Sequence, residues 1–246
     1  MIKRKEIMTM LILIYFLSLV PSALIFFWLR RRKADDREYR IICDRALKRG
    51  AFLCAVLVSL IACILYLLGK VMSMLGAGPL IIEIYNNLIL AALVEELVKY
   101  RVLKGLIRKN PYPYSWADIT SLMMITGMGF GVLESLFYAL GANAGTMLTR
   151  GLTAMHCGYG FIMGYFVGKG MKTGKKRYTL MGILIPFLLH GAYDCCLGDE
   201  LGKVSGYFIY VSLVLAAAAV VTLIIAIVHI CRSKRKAVYT EPLVSE

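Results

Sequence analysis

Two adjacent glutamates lie inside an apolar, helix-forming stretch of the chain, residues 88–100. Glu95 and Glu96 are followed one helical turn later by Lys99. A charged side chain inside a bilayer costs at least about 2.5–3.5 kcal/mol, so such residues usually face a cavity or a polar partner. The spacing lets Lys99 pair with one carboxylate and leave the other free for acid–base chemistry. The stretch therefore predicts a catalytic dyad inside a membrane; the alternative is a cytosolic helix end with snorkelling charges.

Four further polar side chains lie within later apolar stretches: Glu134, His156, His190 and Asp194. His190 and Asp194 are four residues apart and therefore share one face of a helix. Asp194 can orient the His190 imidazole there, or both can bind one metal ion or one substrate oxygen. Each residue alone also has a structural explanation, such as a packing contact or a hydrogen bond to a neighbouring helix.

The composition is that of a membrane protein. The 246 residues are 59% hydrophobic, which is too apolar for an ordinary soluble domain. We predict an all-α, polytopic membrane protein with one membrane-embedded domain over residues 1–246. The net charge of +14 comes from Lys and Arg clusters at helix ends, so we expect membrane lipid and no nucleic acid as a partner. The seven cysteines form no CxxC pair and predict buried thiols rather than disulfides or a thiolate zinc site.

Seven apolar runs are long enough to cross a bilayer as helices. Their predicted bounds are 7–29, 51–75, 82–107, 119–140, 146–168, 178–197 and 207–231. We expect Pro21 to break or kink the first helix and residues 35–50 to form a separate helix at the membrane surface. The catalytic core is expected within 82–197, and 232–246 is expected to be a cytoplasmic tail.

The positive charges set the predicted orientation. The segments after the first, third and fifth spans carry nine, five and five Lys and Arg residues, and they alternate with segments that carry one each. Basic segments stay in the cytoplasm, so we predict a cell-membrane protein with its N-terminus outside and its C-terminus in the cytoplasm. At about 1.5 Å per residue, Glu95, His156 and His190 then lie near mid-bilayer, with Glu134 and Asp194 in the outer half. This convergence of four helices favours a functional site.

The same residues form an ordered series of motifs that resembles a known family. The series is Glu95-Glu96-x-x-Lys99, Phe130-x-x-x-Glu134, His156 with Arg150 six residues before it, and His190-x-x-x-Asp194. It is similar to the PrsW family of intramembrane proteases, which is related to the CAAX prenyl endopeptidase type II (Abi/CPBP) superfamily. The prenyl endopeptidases carry Glu-Glu-x-x-x-Arg and a histidine at the place of Glu134, so the chain resembles the PrsW branch and a prenylated substrate is not expected.

The resemblance implies an intramembrane peptidase that acts in stress signalling. Family members make a first, extracytoplasmic-side cut in a single-span, membrane-anchored anti-sigma factor, which prepares it for a second cut and releases a sigma factor. The residues that the resemblance places in the catalytic site are Glu95, Glu96, Glu134, His156, His190 and Asp194, with Lys99 and Arg150 in support.

A metal-free reaction scheme fits this set of residues. Glu95 accepts a proton from a water that His156 also holds, and the roles of Glu95 and Glu96 can be exchanged. His190, oriented by Asp194, donates to the tetrahedral oxyanion.

A zinc scheme fits the set as well. His156, His190 and either Glu134 or Asp194 bind the metal in it, and Glu95 is the base. The sequence contains no HExxH motif to identify the cofactor. We favour the metal-free scheme, with zinc as the alternative.

Two other classes of protein compete with the enzyme. The first is a proton- or ion-coupled transporter, because clusters of Glu, His and Asp also serve as proton relays; the absence of an internal repeat disfavours it. The second is a membrane scaffold in which the polar groups only lock helices together.

Overall fold

The structure, a computed structural model, describes residues 2–140 and 154–232, and its regular elements are helices. This confirms the predicted all-α class. The helices are α1 (Ile2–Arg31), α2 (Arg37–Lys48), α3 (Ala55–Met74), α4 (Pro79–Ile84), α5 (Val94–Lys109), α6 (Trp116–Leu140), α7 (Met155–Thr173), α8 (Lys176–Cys196), α9 (Asp199–Val204) and α10 (Phe208–Arg232). Two π-helical segments, Arg49–Cys54 and Tyr85–Leu93, join α2 to α3 and α4 to α5 without a break.

Five of the described helical stretches are long and apolar enough to cross a membrane: Thr9–Arg31, Arg37–Met74, Trp116–Phe137, Lys176–Cys196 and Phe208–Arg232. They agree with the predicted multi-pass membrane protein. The third and fifth predicted spans correspond to the helix from α4 to α5 and to α7, which are not among the five. Both stretches contain charged or polar residues, among them Glu95, Glu96 and Lys99 in the former and His156, Lys169 and Lys172 in the latter. The count of seven therefore stays a prediction, and the start of the fifth predicted span lies outside the described residues.

Helix α2 is not the separate surface helix that the sequence predicted for residues 35–50. It runs through the π-helical segment into α3, so that one helix extends over Arg37–Met74. Its buried residues recur at helical spacing: Tyr39, Ile42, Cys43 and Ala46. The prediction weighed the charges of this segment and missed the apolar face between them. Helix α1 continues through Pro21, so Pro21 does not break it, and a kink there stays a prediction.

Helix α6 lies at the centre of the described structure. Residues 117–130 of this helix are all buried, and its neighbours include α1, α2 and α7. Gly164 of α7 faces it closely, since a Cβ at this position would come within 2.7 Å of Thr120 Cα and 3.0 Å of Met123 Cβ. Small residues allow helices to approach in this way in lipid, and the approach places the start of α7 beside the middle of α6.

The π-helical segment Tyr85–Leu93 directly precedes the paired glutamates. A π-helical turn changes the direction in which the following side chains point, and such turns are frequent at functional sites. The segment packs against α8. It thereby positions the first turn of α5 opposite the C-terminal half of α8, where His190 and Asp194 lie.

Candidate active site

The paired glutamates and their lysine are buried in the first turns of α5. The exposed fraction is 6% for Glu95, 0% for Glu96 and 1% for Lys99. Lys99 Nζ lies 3.1 Å from Glu95 Oε2 and 2.9 Å from Glu96 Oε1. The expectation that Lys99 pairs with one carboxylate and leaves the other free is therefore wrong, because its flexible side chain reaches both at spacings of four and three residues.

His156 connects this group to α6. It is the second residue of α7, and its Nδ1 lies 3.1 Å from Lys99 Nζ. Its Nε2 lies 2.5 Å from Glu134 Oε2 on α6. Glycine on α6 makes room for the imidazole, since a Cβ at Gly131 would come within 2.8 Å of His156 Cδ2. Gly127 and Gly131 thus serve the close packing of this histidine, whereas Gly129 faces Leu47 and Ala51.

His190 of α8 contacts the paired glutamates from a third helix. Its Nδ1 lies 3.1 Å from Glu96 Oε1, and its Nε2 lies 3.2 Å from Asp194 Oδ2 and 3.9 Å from Glu95 Oε2. The predicted contact that lets Asp194 orient the imidazole is therefore present. The ring centroids of His156 and His190 are 5.3 Å apart, so both imidazoles belong to one site.

The structure brings together all six predicted site residues and Lys99. They come from the four helices that the sequence indicated, α5, α6, α7 and α8. The predicted convergence is thus confirmed, while the roles of these residues stay predictions. Arg150 lies outside the described residues.

Sequence reasoning missed two aromatic neighbours of the site. The Tyr159 ring stacks on His190 at a centroid distance of 5.3 Å and contacts His156 edge-on at 6.4 Å. Its position one turn after His156 on an apolar helix is a signal that was available. Lys99 Nζ lies 4.4 Å from the centroid of the Phe130 ring, which is a cation–π contact. The motif that contains Phe130 did not predict this contact.

Four buried side chains at the centre of the site have the composition of a metal centre. One ligand atom from each of Glu95, Glu96, His156 and His190 lies within 4.8 Å of the others. Glu96 Oε2 is buried and has no hydrogen-bond partner among the described residues. Two imidazoles with carboxylate oxygens are a donor set that zinc takes in catalytic sites, so these residues fit a divalent cation. The carboxylates of this cluster are the paired glutamates, whereas the zinc scheme from sequence used Glu134 or Asp194.

The site is acid-rich and opens on a cavity. Within the described residues, the carboxyl groups of Glu95, Glu96, Glu134 and Asp194 lie around one lysine, Lys99, and two histidines. A cavity of about 870 Å³ reaches Glu95, Glu134 and Asp194 and is otherwise lined by residues within 73–91 and 197–200. The cavity gives water and substrate access to three of these acids.

Comparison with known proteins agrees with this site. A family model described as PrsW family intramembrane metalloprotease matches residues 45–226. The protein named Protease PrsW of Clostridioides difficile (strain 630) is 28% identical over 197 residues, which are 76% of this chain and 80% of the relative. Protease PrsW of Bacillus subtilis (strain 168) is 26% identical over 182 residues, which are 70% of this chain and 76% of the relative. No solved structure matches.

The fold, the buried acid–histidine site and these matches identify the class of protein as an intramembrane protease. The chain belongs to the PrsW family of intramembrane metalloproteases. The predicted resemblance is thereby confirmed, and the transporter alternative receives no support from the comparisons.

Proposed function

We propose that this protease cuts a single-span, membrane-anchored regulatory protein on its extracytoplasmic side, with an anti-sigma factor as the substrate class. The cavity of about 870 Å³ carries this proposal. It extends from Glu95 to the turns around 73–79 and 197–200, so a peptide segment has access to the acids from that end of the helices.

The distribution of basic residues supports an extracytoplasmic cavity. Among the described residues, Lys70 and Lys203 lie near the turns at the cavity end, whereas the opposite ends of the helices carry the basic clusters within 30–49, 99–109 and 169–177. Basic segments stay on the cytoplasmic side. We therefore retain seven spans, with the N-terminus outside and the C-terminus in the cytoplasm, as part of the proposal.

The geometry favours Glu95 over Glu96 as the general base. Glu95 lines the cavity, whereas Glu96 is fully buried behind it. In the proposed scheme Glu95 accepts a proton from the attacking water. In the metal-free alternative, His190, held by Asp194, would donate a hydrogen bond to the oxyanion that develops on the scissile carbonyl.

We propose that Glu96, His156 and His190 would hold zinc, with Glu95 left as the base. When bound, the metal supplies Lewis acidity toward a peptide carbonyl or a water. The description of the family as metalloproteases and the four-donor cluster support this scheme over the metal-free one. Lys99 contacts acceptor atoms of the same cluster, so its ammonium and a divalent cation would compete for them.

The test coexpresses the protease with candidate single-span anti-sigma-type substrates. The wild type should yield a membrane-retained fragment shortened on its outer side, and Glu95→Gln should yield none. Glu38→Gln, a matched control at an exposed position of α2, should cleave like the wild type. Cleavage retained in Glu95→Gln would remove the central claim, and a fragment shortened on the cytoplasmic side would reverse the orientation.

Metal dependence is measured separately from activity. Zinc content per purified molecule should approach one in the wild type and fall in His156→Gln and His190→Gln. A wild type that cleaves substrate at full rate with no bound metal after chelation would support the metal-free scheme instead.

A further inference from the structure

A second cavity lies at the opposite end of the helices from the active-site cavity. It has a volume of about 290 Å³ and lies among α5, α7 and the first turn of α8. Its floor is apolar and includes the buried residues Leu103, Ile107 and Val167. Its rim carries three exposed lysines: Lys104, Lys175 and Lys176. The pocket therefore combines an apolar floor with a positively charged rim.

The charge at the rim is not balanced within the pocket. None of the described residues that line it is acidic. Helix α8 begins at Lys176, and its N-cap Lys175 makes no side-chain capping bond within the described chain. The first-turn N–H groups of α8 therefore add the positive end of a helix dipole to the lysine charges. A ligand that fits this pocket is an anion.

The pocket lies at the level where the exposed faces of both flanking helices change from apolar to basic. On α5 the exposed residues change from Leu97 to Arg101, Lys104 and Arg108. On α8 the basic residues 175–177 come first, and exposed leucines follow from Leu180 onward. In a membrane protein such a boundary marks the headgroup region of the bilayer.

We propose that this pocket binds one anionic phospholipid of the cytoplasmic leaflet. The three lysines hold the phosphate headgroup, and the glycerol and the first acyl segments lie on the apolar floor. Basic pockets between membrane helices on the cytoplasmic side are suited to such headgroups. A soluble phosphate has no apolar part to lie on the floor of the pocket. Neither a soluble phosphate nor an acidic peptide requires a site at the headgroup region of the bilayer. The proposal does not depend on proteolysis.

The experiment titrates the purified full-length protein in detergent with phosphatidylglycerol or with phosphatidylcholine of the same acyl chains, and counts bound lipid by native mass spectrometry. The wild type should bind one phosphatidylglycerol at least about tenfold more tightly than phosphatidylcholine. The triple variant Lys104→Gln, Lys175→Gln, Lys176→Gln should lose that preference. The control triple replaces lysines that are exposed and lie outside the pocket: Lys48→Gln, Lys109→Gln and Lys203→Gln.

The control triple removes the same charge and should keep binding within about twofold of the wild type. Met171→Trp fills the pocket without a change of charge and should also weaken phosphatidylglycerol binding. Equal loss in both triples would overturn the proposal in favour of diffuse electrostatic binding. No loss in either triple would overturn it because the lysines would then not hold the headgroup. Displacement of the lipid by glycerol phosphate or by an acidic peptide at equal concentration would overturn it in favour of that ligand.

Discussion

Two buried groups of charges lie at opposite ends of α6, and their described residues differ in the mix of acidic and basic side chains. The Asp118 cluster comprises Asp118, Arg32, Lys33 and Ser115. Asp118 is fully buried and pairs with Arg32 and with Lys33, whose Nζ lies 2.7 Å from Asp118 Oδ2. The N–H of Ser115 also donates to this carboxylate at 2.8 Å. One carboxylate is thus matched by two cations and a backbone donor.

The active site has a different composition. Among its described residues, four carboxyl groups lie around one lysine and two histidines, and a cavity reaches three of the acids. Removing one partner from a matched buried pair leaves an uncompensated charge and is strongly destabilising, whereas a cluster of interacting titratable groups that faces a cleft is a feature of functional sites. We infer that the Asp118 cluster stabilises the fold and that the acid-rich site sacrifices stability for chemistry.

The largest expected effect is on activity, in His190→Gln. This change removes the group that contacts both Glu96 and Asp194, so the rate of substrate cleavage should fall by about 10²–10⁴-fold. The melting temperature in detergent should stay close to that of the wild type. If the variant unfolds more easily but keeps full activity per folded molecule, His190 has a structural role. The proposed difference between the active site and the Asp118 cluster would then be wrong.

Asp118→Asn should show the opposite pattern. Because two cations lose their buried partner, the free energy of unfolding should fall by about 3 kcal/mol. Cleavage per folded molecule should not change. Unfolding in a denaturing detergent titration measures the first quantity, and Asp35→Asn, at an exposed position between α1 and α2, is the control. Equal stability of the two variants would show that the Asp118 cluster contributes nothing.

Asp194→Asn should have a smaller effect than the loss of His190 itself. The amide keeps the size of the side chain that faces His190 Nε2 at 3.2 Å but weakens the charge that orients the imidazole. Loss of such an orienting partner typically costs about 10–100-fold in activity. We expect kcat to decrease and KM to stay nearly unchanged. A change confined to KM would indicate that Asp194 binds substrate instead.

The smallest expected effect is at the edge of the Asp118 cluster. The Tyr112 hydroxyl donates to Asp36 and accepts from Lys33 Nζ at 3.0 Å. Tyr112→Phe should therefore reduce the free energy of unfolding by about 1 kcal/mol at neutral pH, without an effect on cleavage.

The effect of Tyr112→Phe should also depend on pH. Burial raises the pKa of Asp36, but hydrogen bonds from Tyr112 and from the N–H of Tyr39 outweigh it and hold the pKa below its usual value. The ionised Asp36 carboxylate therefore stabilises the folded protein at pH values above about 3.9, the pKa of Asp in the unfolded chain. This stabilisation is lost as the pH falls through the lower pKa of Asp36 in the folded protein. The difference in melting temperature between wild type and variant should therefore shrink below about pH 4. A difference that stays constant would show that Tyr112 acts by packing alone.

Local spacing accounts for what was predictable in the site. The contacts of Lys99 with its glutamates and of His190 with Asp194 lie within one helical turn, so any helix through these residues allows them. The contacts of Glu96 with His190 and of His156 with Glu134 join different helices. They depend on how each helix is rotated and how closely it approaches its neighbour, which spacing along the chain does not define.

The same limit explains the errors in the fold. The basic run 30–33 predicted the end of a span, and α1 does end there at Arg31, yet Arg32 and Lys33 also reach Asp118, 85 or more residues later. The charges of α2 predicted a surface helix, whereas its apolar face packs against α6. In both cases the charges along the chain were identified correctly, but the residues that these segments contact in the folded protein could not be predicted from them.

The sequence by itself determined that the chain is helical, that it is built for a membrane and that acids and histidines lie inside its helices, because apolar run length and helical periodicity are local properties. Only the tertiary structure decided that Lys99 contacts both glutamates and His156, that Glu96 and not Glu95 is shielded from the cavity, and that the four-donor cluster contains the paired glutamates. These features arise from the packing of α5 and α7 against α6 and of α8 against α7 and the π-helical segment Tyr85–Leu93, where glycines allow helices to approach at distances that other residues exclude.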